Sequence, residues 1–397
     1  MSGALEGIKV LDLSRVYAGP FCTMLLADMG AEVVKIEIPE KGDDTRGYGP
    51  YINGESLYYA NVNRNKKSIT LNLKTAEGKE LFMEMVKSAD MVVENYRPSV
   101  TKRLGVDYET LAQVNPKIIY GSISAFGQQG PYASRPGYDI IAQAMGGLMS
   151  ITGWPDEGPT RAGNAIGDVL GGISLAVGLL AALQARIHTG KGQHIDVSLT
   201  DSIIMSLENA TQRYFASGKE PEKLGNRYST AAPYNSFQAI DGYIVIGCAN
   251  QKLYELLCEN ALQMPELIND SRFTTMQLRL AHQDELEQII QSWVGQYTRD
   301  EAVELILAAG VPAAPVMTIG QIAEDEHFNK YRNMFPVVHH PVIGDMRLNG
   351  CHIKMSDTMP AVRTCAPALG QHNAEVYGGL LGLTEEKLEL LKQKGVI

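Results

Sequence analysis

Ile8-Lys-Val-Leu-Asp-Leu13, then Gly19-Pro20, then Gly30, then Glu32-Val-Val-Lys-Ile-Glu37: these pieces of the first forty residues read as one βαβ unit. The first apolar run has strand length. Gly19-Pro20 opens a helix, where proline is tolerated because its missing N–H has no partner in a first turn anyway. Gly30 closes that helix, and the second apolar run supplies the next strand. A strand–helix–strand start predicts a doubly wound α/β sheet. No G-x-G-x-x-G follows the first strand, so a dinucleotide fingerprint is absent.

The pattern continues outward. Residues 68–73 alternate as a strand, and 76–88 carry Leu81, Phe82, Met85 and Val86 at helical spacing. Residues 91–93 and 117–124 are further strands. Residues 137–150 and 167–187 read as helices, the second rich in Gly and Ala for close packing, and 194–198 as a strand after the turn at 189–192. The polar stretch 218–230 reads as a linker. Beyond it come a strand at 243–246, helices at 251–260 and 276–293, and a capping box Thr298-Arg-Asp-Glu301 for a helix ending near Gly310. Residues 311–316 are strand-like, and Thr384 is expected to cap a last helix to 394. The expected layout is a large Rossmann-like domain from 1–217, a linker at 218–230 and a small α/β domain at 231–318. Residues 319–397 return to the large domain.

With 397 residues, 45% hydrophobic and 20% charged, the chain has globular composition, which excludes disorder, collagen-like repeats and a disulfide scaffold. Thirty-five Lys and Arg against 45 Asp and Glu leave a formal charge of −10. That balance disfavours nucleic acid and anionic membrane as partners, while leaving room for a local basic pocket. Cys22, Cys248, Cys258, Cys351 and Cys365 are odd in number and form no C-x-x-C, as expected of reduced thiols in a cytoplasmic protein. No basic, then apolar, leader opens the chain. The apolar run 169–183 is short for a membrane span of about 20 residues and reads as a buried helix.

Few residues invite chemistry. Asp168, in Gly163-Asn-Ala-Ile-Gly-Asp168-Val-Leu-Gly-Gly172, is a lone carboxylate among small residues at the start of an apolar helix. It reads either as a helix cap or as a nucleophile, ionised at neutral pH, that bulky substrates can approach. Arg64, Lys66, Lys67 and Lys74, with Lys102 and Arg103 after Glu94-Asn-Tyr-Arg-Pro98, form a basic cluster: a solvated face or a phosphate site. Tyr138 and Asp139, in Arg135-Pro-Gly-Tyr138-Asp139, begin a helix. His339-His340 lacks a third ligand nearby, so no metal site is expected. Ser14, Ser122 and Ser124 lack a nucleophile elbow.

At these residues the chain resembles the family III CoA-transferases, the group of formyl-CoA:oxalate and carnitine CoA-transferases. The marks are Gly7-Ile-Lys-Val-Leu-Asp12, Ala18-Gly-Pro20, Met29-Gly-Ala-Glu-Val-Val-Lys-Ile-Glu37, Glu94-Asn-Tyr-Arg-Pro98, Gly137-Tyr-Asp139, Gly167-Asp168, Asp196-Val-Ser198 and Leu369-Gly-Gln-His372. Each is weak alone, whereas the ordered set spans the chain. The resemblance implies an interlocked homodimer with no metal and no cofactor beyond coenzyme A as co-substrate. It matches the family's aspartate nucleophile to Asp168. It places CoA contacts at Arg15, Ala18, Leu71, Lys74, Asn95, Tyr96 and Arg103, and an acyl pocket at Tyr17, Tyr48, Tyr138 and Asp139. Formyl-CoA:oxalate enzymes differ in having arginine at Ile38, lysine at Pro136, tryptophan at Tyr48, and a glycine-rich loop where this chain reads Cys248-Ala-Asn-Gln-Lys252. Arg135 stands next to Pro136.

The implied partners are an acyl-CoA and a small carboxylic acid of oxalate, acetate or succinate type. Asp168 would form an acyl anhydride and then an aspartyl-CoA thioester, with backbone N–H groups at the helix start steadying the oxyanions. Two other readings stand beside this one. An α-methylacyl-CoA racemase needs an acid/base pair, yet Tyr138 occupies that group's histidine position, and tyrosine has a resting pKa of about 10. A non-catalytic CoA-binding protein would keep the cations without needing Asp168.

Overall fold

The structure is a computed structural model and describes residues 3–397. Contacts divide it into two units. The first holds the residues up to Met149, Arg161–Gln212 and Glu326–Ile397; the second holds Ser150–Thr160 and Arg213–Asp325.

The first unit is built on six strands: β1 (Lys9–Asp12), β2 (Glu32–Glu37), β3 (Lys66–Thr70), β4 (Met91–Glu94), β5 (Ile119–Ser124) and β6 (His194–Ser198). All pair in parallel, in the order 3-2-1-4-5-6. That is the strand order of the doubly wound dinucleotide folds, reached here without their glycine fingerprint. A parallel sheet must be covered on both faces. Val10, Val33, Met91 and Ile119 pack on one face against Cys22 and Leu26 of α1 (Ala18–Asp28). Leu11, Val34, Ile69 and Val92 pack on the other against Phe82, Met85 and Val86 of α2 (Ala76–Val86). The C-terminal segment covers that second face, where the Tyr377 hydroxyl donates to the Thr70 carbonyl at 2.7 Å.

Residues 137–150 form two helices where one was expected. The first is α3 (Asp139–Met145); the break falls at Gly146-Gly147, where Gly147 has φ +86°, and Leu148–Ile151 follow. The glycine-rich segment becomes α4 (Ile166–Thr189), followed after β6 by α5 (Leu199–Met205). Gly172 lets α4 lie directly on α1: a Cβ there would sit 2.8 Å from the Ala18 carbonyl oxygen. The expectation of a buried helix holds for one face of α4 only. It is long and apolar enough to cross a membrane, and 39% of its most apolar stretch is buried within this chain. Val177 and Ile187 point outward.

The second unit has a three-stranded antiparallel sheet, β7 (Tyr234–Ala239), β8 (Gly242–Gly247) and β9 (Ala313–Pro315), in the order 9-8-7. β7 was not anticipated, because its polar residues hide the alternation. The expected helix over 276–293 is broken at His282 into Met276–Ala281 and Gln283–Val294. The Thr298–Glu301 capping box is present in both halves. Residues 150–160 were expected in the large domain but belong here, since Gly225 N–H donates to the Gly153 carbonyl at 2.9 Å and Lys223 reaches the Glu157 and Gly158 carbonyls. Residues 218–230 likewise sit within this unit and are not a free linker: Arg227 is paired with Glu287 at 2.6 Å.

Candidate active site

In a doubly wound sheet, ligands bind outside the carboxyl ends of the strands where the order reverses, because the loops from neighbouring strands there diverge to opposite faces. Here the reversal lies between β1 and β4. A cavity of about 800 Å³ opens there, lined by the residues that follow those strands, Leu13 to Ala18 and Asn95 to Pro98. Every expected CoA contact lines it: Arg15, Ala18, Leu71, Lys74, Asn95, Tyr96 and Arg103. So do Tyr17, Tyr138 and Asp168, whereas Tyr48 and Asp139 do not.

The β1 loop is held in an unusual shape. The Asn95 side chain accepts from the Arg15 N–H at 2.9 Å and donates to the Arg15 carbonyl at 2.6 Å. Val16 has φ 69°, a left-handed conformation that a β-branched residue adopts only under outside constraint. Asp43 provides part of it by accepting from the Val16 N–H at 3.2 Å. The kink delivers Tyr17 to the start of α1.

Among the described residues, Lys74, Lys79, Arg97 and Arg103 line the cavity with no ion pair. Arg15 is paired with Asp44 at 3.2 Å, and the Arg135 guanidinium lies 4.1 Å from the Tyr132 ring centre. Free cations converging on a cavity of a protein with charge −10 form an anion site. Of the sequence's basic cluster, Arg64, Lys66, Lys67 and Lys102 do not line the cavity, and Lys102 is exposed to solvent. Arg64 is buried against Asp28 at 2.7 Å, and Lys66 is buried against Asp12 at 3.0 Å. Burial pushes Lys66 down to about 8, against the pull of Asp12. Lys67 bridges Glu32 and Glu375 at the surface. His339 and His340 also have structural partners: Asp345 for the first, the Val342 and Ile343 N–H groups for the second.

Asp168 stands in the first turn of α4. No hydrogen bond to its carboxylate occurs among the described residues. Burial, with the nearby charge of Asp139 adding to it, pushes its pKa up to about 7. The carboxyl therefore holds its proton more tightly than the ordinary ionised aspartate expected from the sequence. Asp139 is not on the cavity wall because both its oxygens are engaged beneath it. Oδ1 accepts from Gly167 N–H at 2.7 Å and Oδ2 from the Gln143 amide at 2.6 Å. Gly167 N–H is thus unavailable to an oxyanion, as is Val169 N–H, which donates to the Ala165 carbonyl.

An aromatic row flanks this end. Phe21 stacks on Tyr17 at 5.6 Å, Tyr17 meets Tyr58 edge-on at 5.8 Å, and Tyr58 meets Tyr48 at 5.8 Å. Tyr48 thus reaches the site only through Tyr58. Burial first, and then the Asp168 charge, push the Tyr17 phenol above its usual value; burial, Tyr17 and Asp168 do the same for Tyr58. Both hydroxyls remain protonated donors. Sequence reading did not single out Lys79 and Arg97 on the cavity wall, nor Tyr58 and Gln143, which are not on it but touch Tyr17 and Asp139. Gln143 had a signal, since a Gln four residues after an Asp on a helix faces it. Arg97 lay inside a quoted motif, and Lys79 sits on the helix after Lys74. Tyr58 gave none beyond its aromatic neighbours.

A switch-point cavity with free cations and a lone carboxylate of raised pKa is the layout of an enzyme acting on an anionic carrier. The chain belongs to CoA-transferase family III, whose family model matches residues 5–373. It is a CoA-transferase, moving CoA between an acyl-CoA and a carboxylate. It is 45% identical over 322 residues to an acetyl-CoA:oxalate CoA-transferase of Acetobacter aceti, covering 81% of this chain and 82% of that one. It is 40% identical to a succinyl-CoA–D-citramalate CoA-transferase of Chloroflexus aurantiacus, covering 99% and 98%. A mouse succinyl-CoA:glutarate CoA-transferase is 37% identical, with 99% and 90% covered. A crystal structure of a CaiB/BaiF family protein from Brucella suis superimposes with a TM-score of 0.84 at 37% identity, covering 96% of this chain and all of that one.

Proposed function

We propose that the enzyme transfers CoA to a small dicarboxylic acid, with Asp168 as covalent nucleophile. The observation that carries this reading is the unpartnered Asp168 carboxylate on the wall of the cavity. A carboxyl with no donors and raised basicity is a better nucleophile than an ordinary aspartate once deprotonated. It attacks the donor thioester carbonyl, forming the acyl–Asp168 anhydride as the C–S bond breaks and CoA thiolate leaves. The thiolate attacks the Asp168 carbonyl, giving an aspartyl-CoA thioester and the free donor acid. The acceptor carboxylate attacks that thioester, forming a second anhydride, and CoA thiolate then attacks the acceptor's acyl carbon. Product thioester leaves and Asp168 is regenerated. The thioester's energy is kept as long as water stays away from the anhydrides.

Lys74 and Arg103 bind CoA phosphates in this reading, joined by Lys79 and Arg97. The dicarboxylic preference is supported by the Tyr17 and Tyr58 hydroxyls and by the relatives, which are named for oxalate, citramalate and glutarate. A homodimer is supported by the apolar side chains the first unit leaves exposed, among them Ile140, Met145, Val177, Ile204 and Met205. A folded, active monomer in sedimentation at nanomolar protein would refute it. Five free cysteines suit a cytoplasmic location.

The deciding experiment is mass spectrometry of protein quenched during turnover with hydroxylamine. The peptide containing Asp168 is expected to carry the modification, and Asp168→Ala should lose at least on the order of 10³ in kcat. A fully active alanine variant overturns the proposal.

A further inference from the structure

We propose that Gln143 is a positioning residue for the reaction: through Asp139 it locks the loop before Asp168 and keeps an un-neutralised negative charge beside that carboxylate. The inference rests on the reading of Asp168 as nucleophile.

Gln143 lies one turn after Asp139 on α3 and is wholly buried. Its amide N–H donates to Asp139 Oδ2 at 2.6 Å and approaches the Asn164 carbonyl at 3.4 Å. Its amide oxygen accepts from Ala162 N–H at 2.9 Å. Asp139 Oδ1 accepts from Gly167 N–H at 2.7 Å. Two side chains of one helix thus grip the backbone at 162, 164 and 167, the segment that delivers Asp168 into the first turn of α4. A Cβ on Gly167 would meet Asp139 Oδ1 at 3.0 Å, so the grip is close.

The chemistry of the residue types matters as much as the geometry. Asp139 is buried and needs donors. A lysine or arginine would satisfy it and cancel its charge, whereas the glutamine amide satisfies it and leaves the charge in place. The charge that bears on Asp168 is that of Asp139 from α3, and no lysine or arginine offsets it there; the neutral phenols of Tyr17, at the entrance of α1, and Tyr58, from the helix Leu57–Val62, feel the Asp168 charge in turn, and Arg64 counters it at Tyr17. The nucleophile's affinity for a proton, and with it its reactivity once deprotonated, is maintained from behind by a residue that never touches substrate.

The test uses the full-length enzyme with succinyl-CoA as donor and oxalate or glutarate as acceptor. Gln143→Met, which matches the side chain in length but makes none of these bonds, should lower kcat on the order of 10- to 100-fold, with KM for acyl-CoA within about twofold. Asp139→Asn should move the acidic limb of kcat/KM, near pH 7 in the wild type, down by about one pH unit or more. A purely structural role would lower amplitude and leave the limb in place. If either variant fails to fold, the wild-type profile still decides, since an acidic limb near the ordinary aspartate range of about 4 overturns the proposal. Trapping separates the two ideas. An Asp168 adduct in the wild type, with folded variants unchanged in kcat and limb, sinks only the positioning role. No adduct at Asp168 sinks the nucleophile reading beneath it.

Discussion

Replacing Asp168 by Asn should abolish transfer and stabilise the protein in a way that depends on pH. Burial, with Asp139 alongside, lifts the Asp168 carboxyl from 3.8 to about 7 in the folded chain. Below pH 3.8 both folded and unfolded states hold the proton, and no penalty exists. Between 3.8 and 7 the fold keeps a proton that the unfolded chain releases, so wild-type stability falls by about 1.4 kcal/mol per pH unit. Above 7 both states are ionised and the penalty levels off at about 4 kcal/mol, the full difference between the two pKa values. Asparagine has a similar shape and no charge to desolvate, so its advantage over the wild type should follow the same curve. It should be small at pH 4.5, about 4 kcal/mol at pH 8, and flat beyond. Urea unfolding of both proteins at one protein concentration, from pH 4.5 to 8.5, reads this directly. A stability difference that does not change with pH, or an Asn variant less stable than the wild type at pH 8, would refute the reasoning. The carboxyl would then be solvated or paired with a cation.

Neutralising Lys74 or Arg103 should raise KM for every acyl-CoA by about tenfold, leave KM for the free acid unchanged and flatten the salt dependence, as loss of uniform phosphate binding requires. Arg64→Ala should do the reverse, costing about 3–5 kcal/mol of stability by stranding buried Asp28 while leaving acyl-CoA KM alone in the protein that remains folded. Calorimetry with steady-state kinetics checks both. Tyr58→Phe should shrink the preference for glutarate over hexanoate by about 5- to 30-fold, since a buried carboxylate left unpaired costs about 1–2 kcal/mol. Competition between the two acids on kcat/KM measures it, and an unchanged ratio would mean the hydroxyl faces only water.

Much of the fold was legible because its signals are local. The opening βαβ unit, the Thr298–Glu301 capping box and the Thr384 cap of Glu385–Gln393 each depend on residues a few positions apart, and each is found where the pattern put it. Asp168 stood out for the same reason, as one carboxylate among glycines. What spacing could not reveal was which charges face each other. Arg64, Lys66 and Lys74 look alike in sequence, yet Asp28 and Asp12 bury the first two and Lys74 alone is left to the cavity. Asp139 looked like a pocket residue until Gly167 and Gln143 drew it beneath the wall. Tyr58 meets Tyr17 and Tyr48 only because the chain folds it between them. Helix caps, strand alternation and turn residues act over one turn of backbone, so the sequence by itself determined the elements and their order. The partner of a charge is chosen across the sheet by desolvation and distance, so only the tertiary structure decided which cations stay free, which carboxylate is left without donors and which glutamine stands behind it.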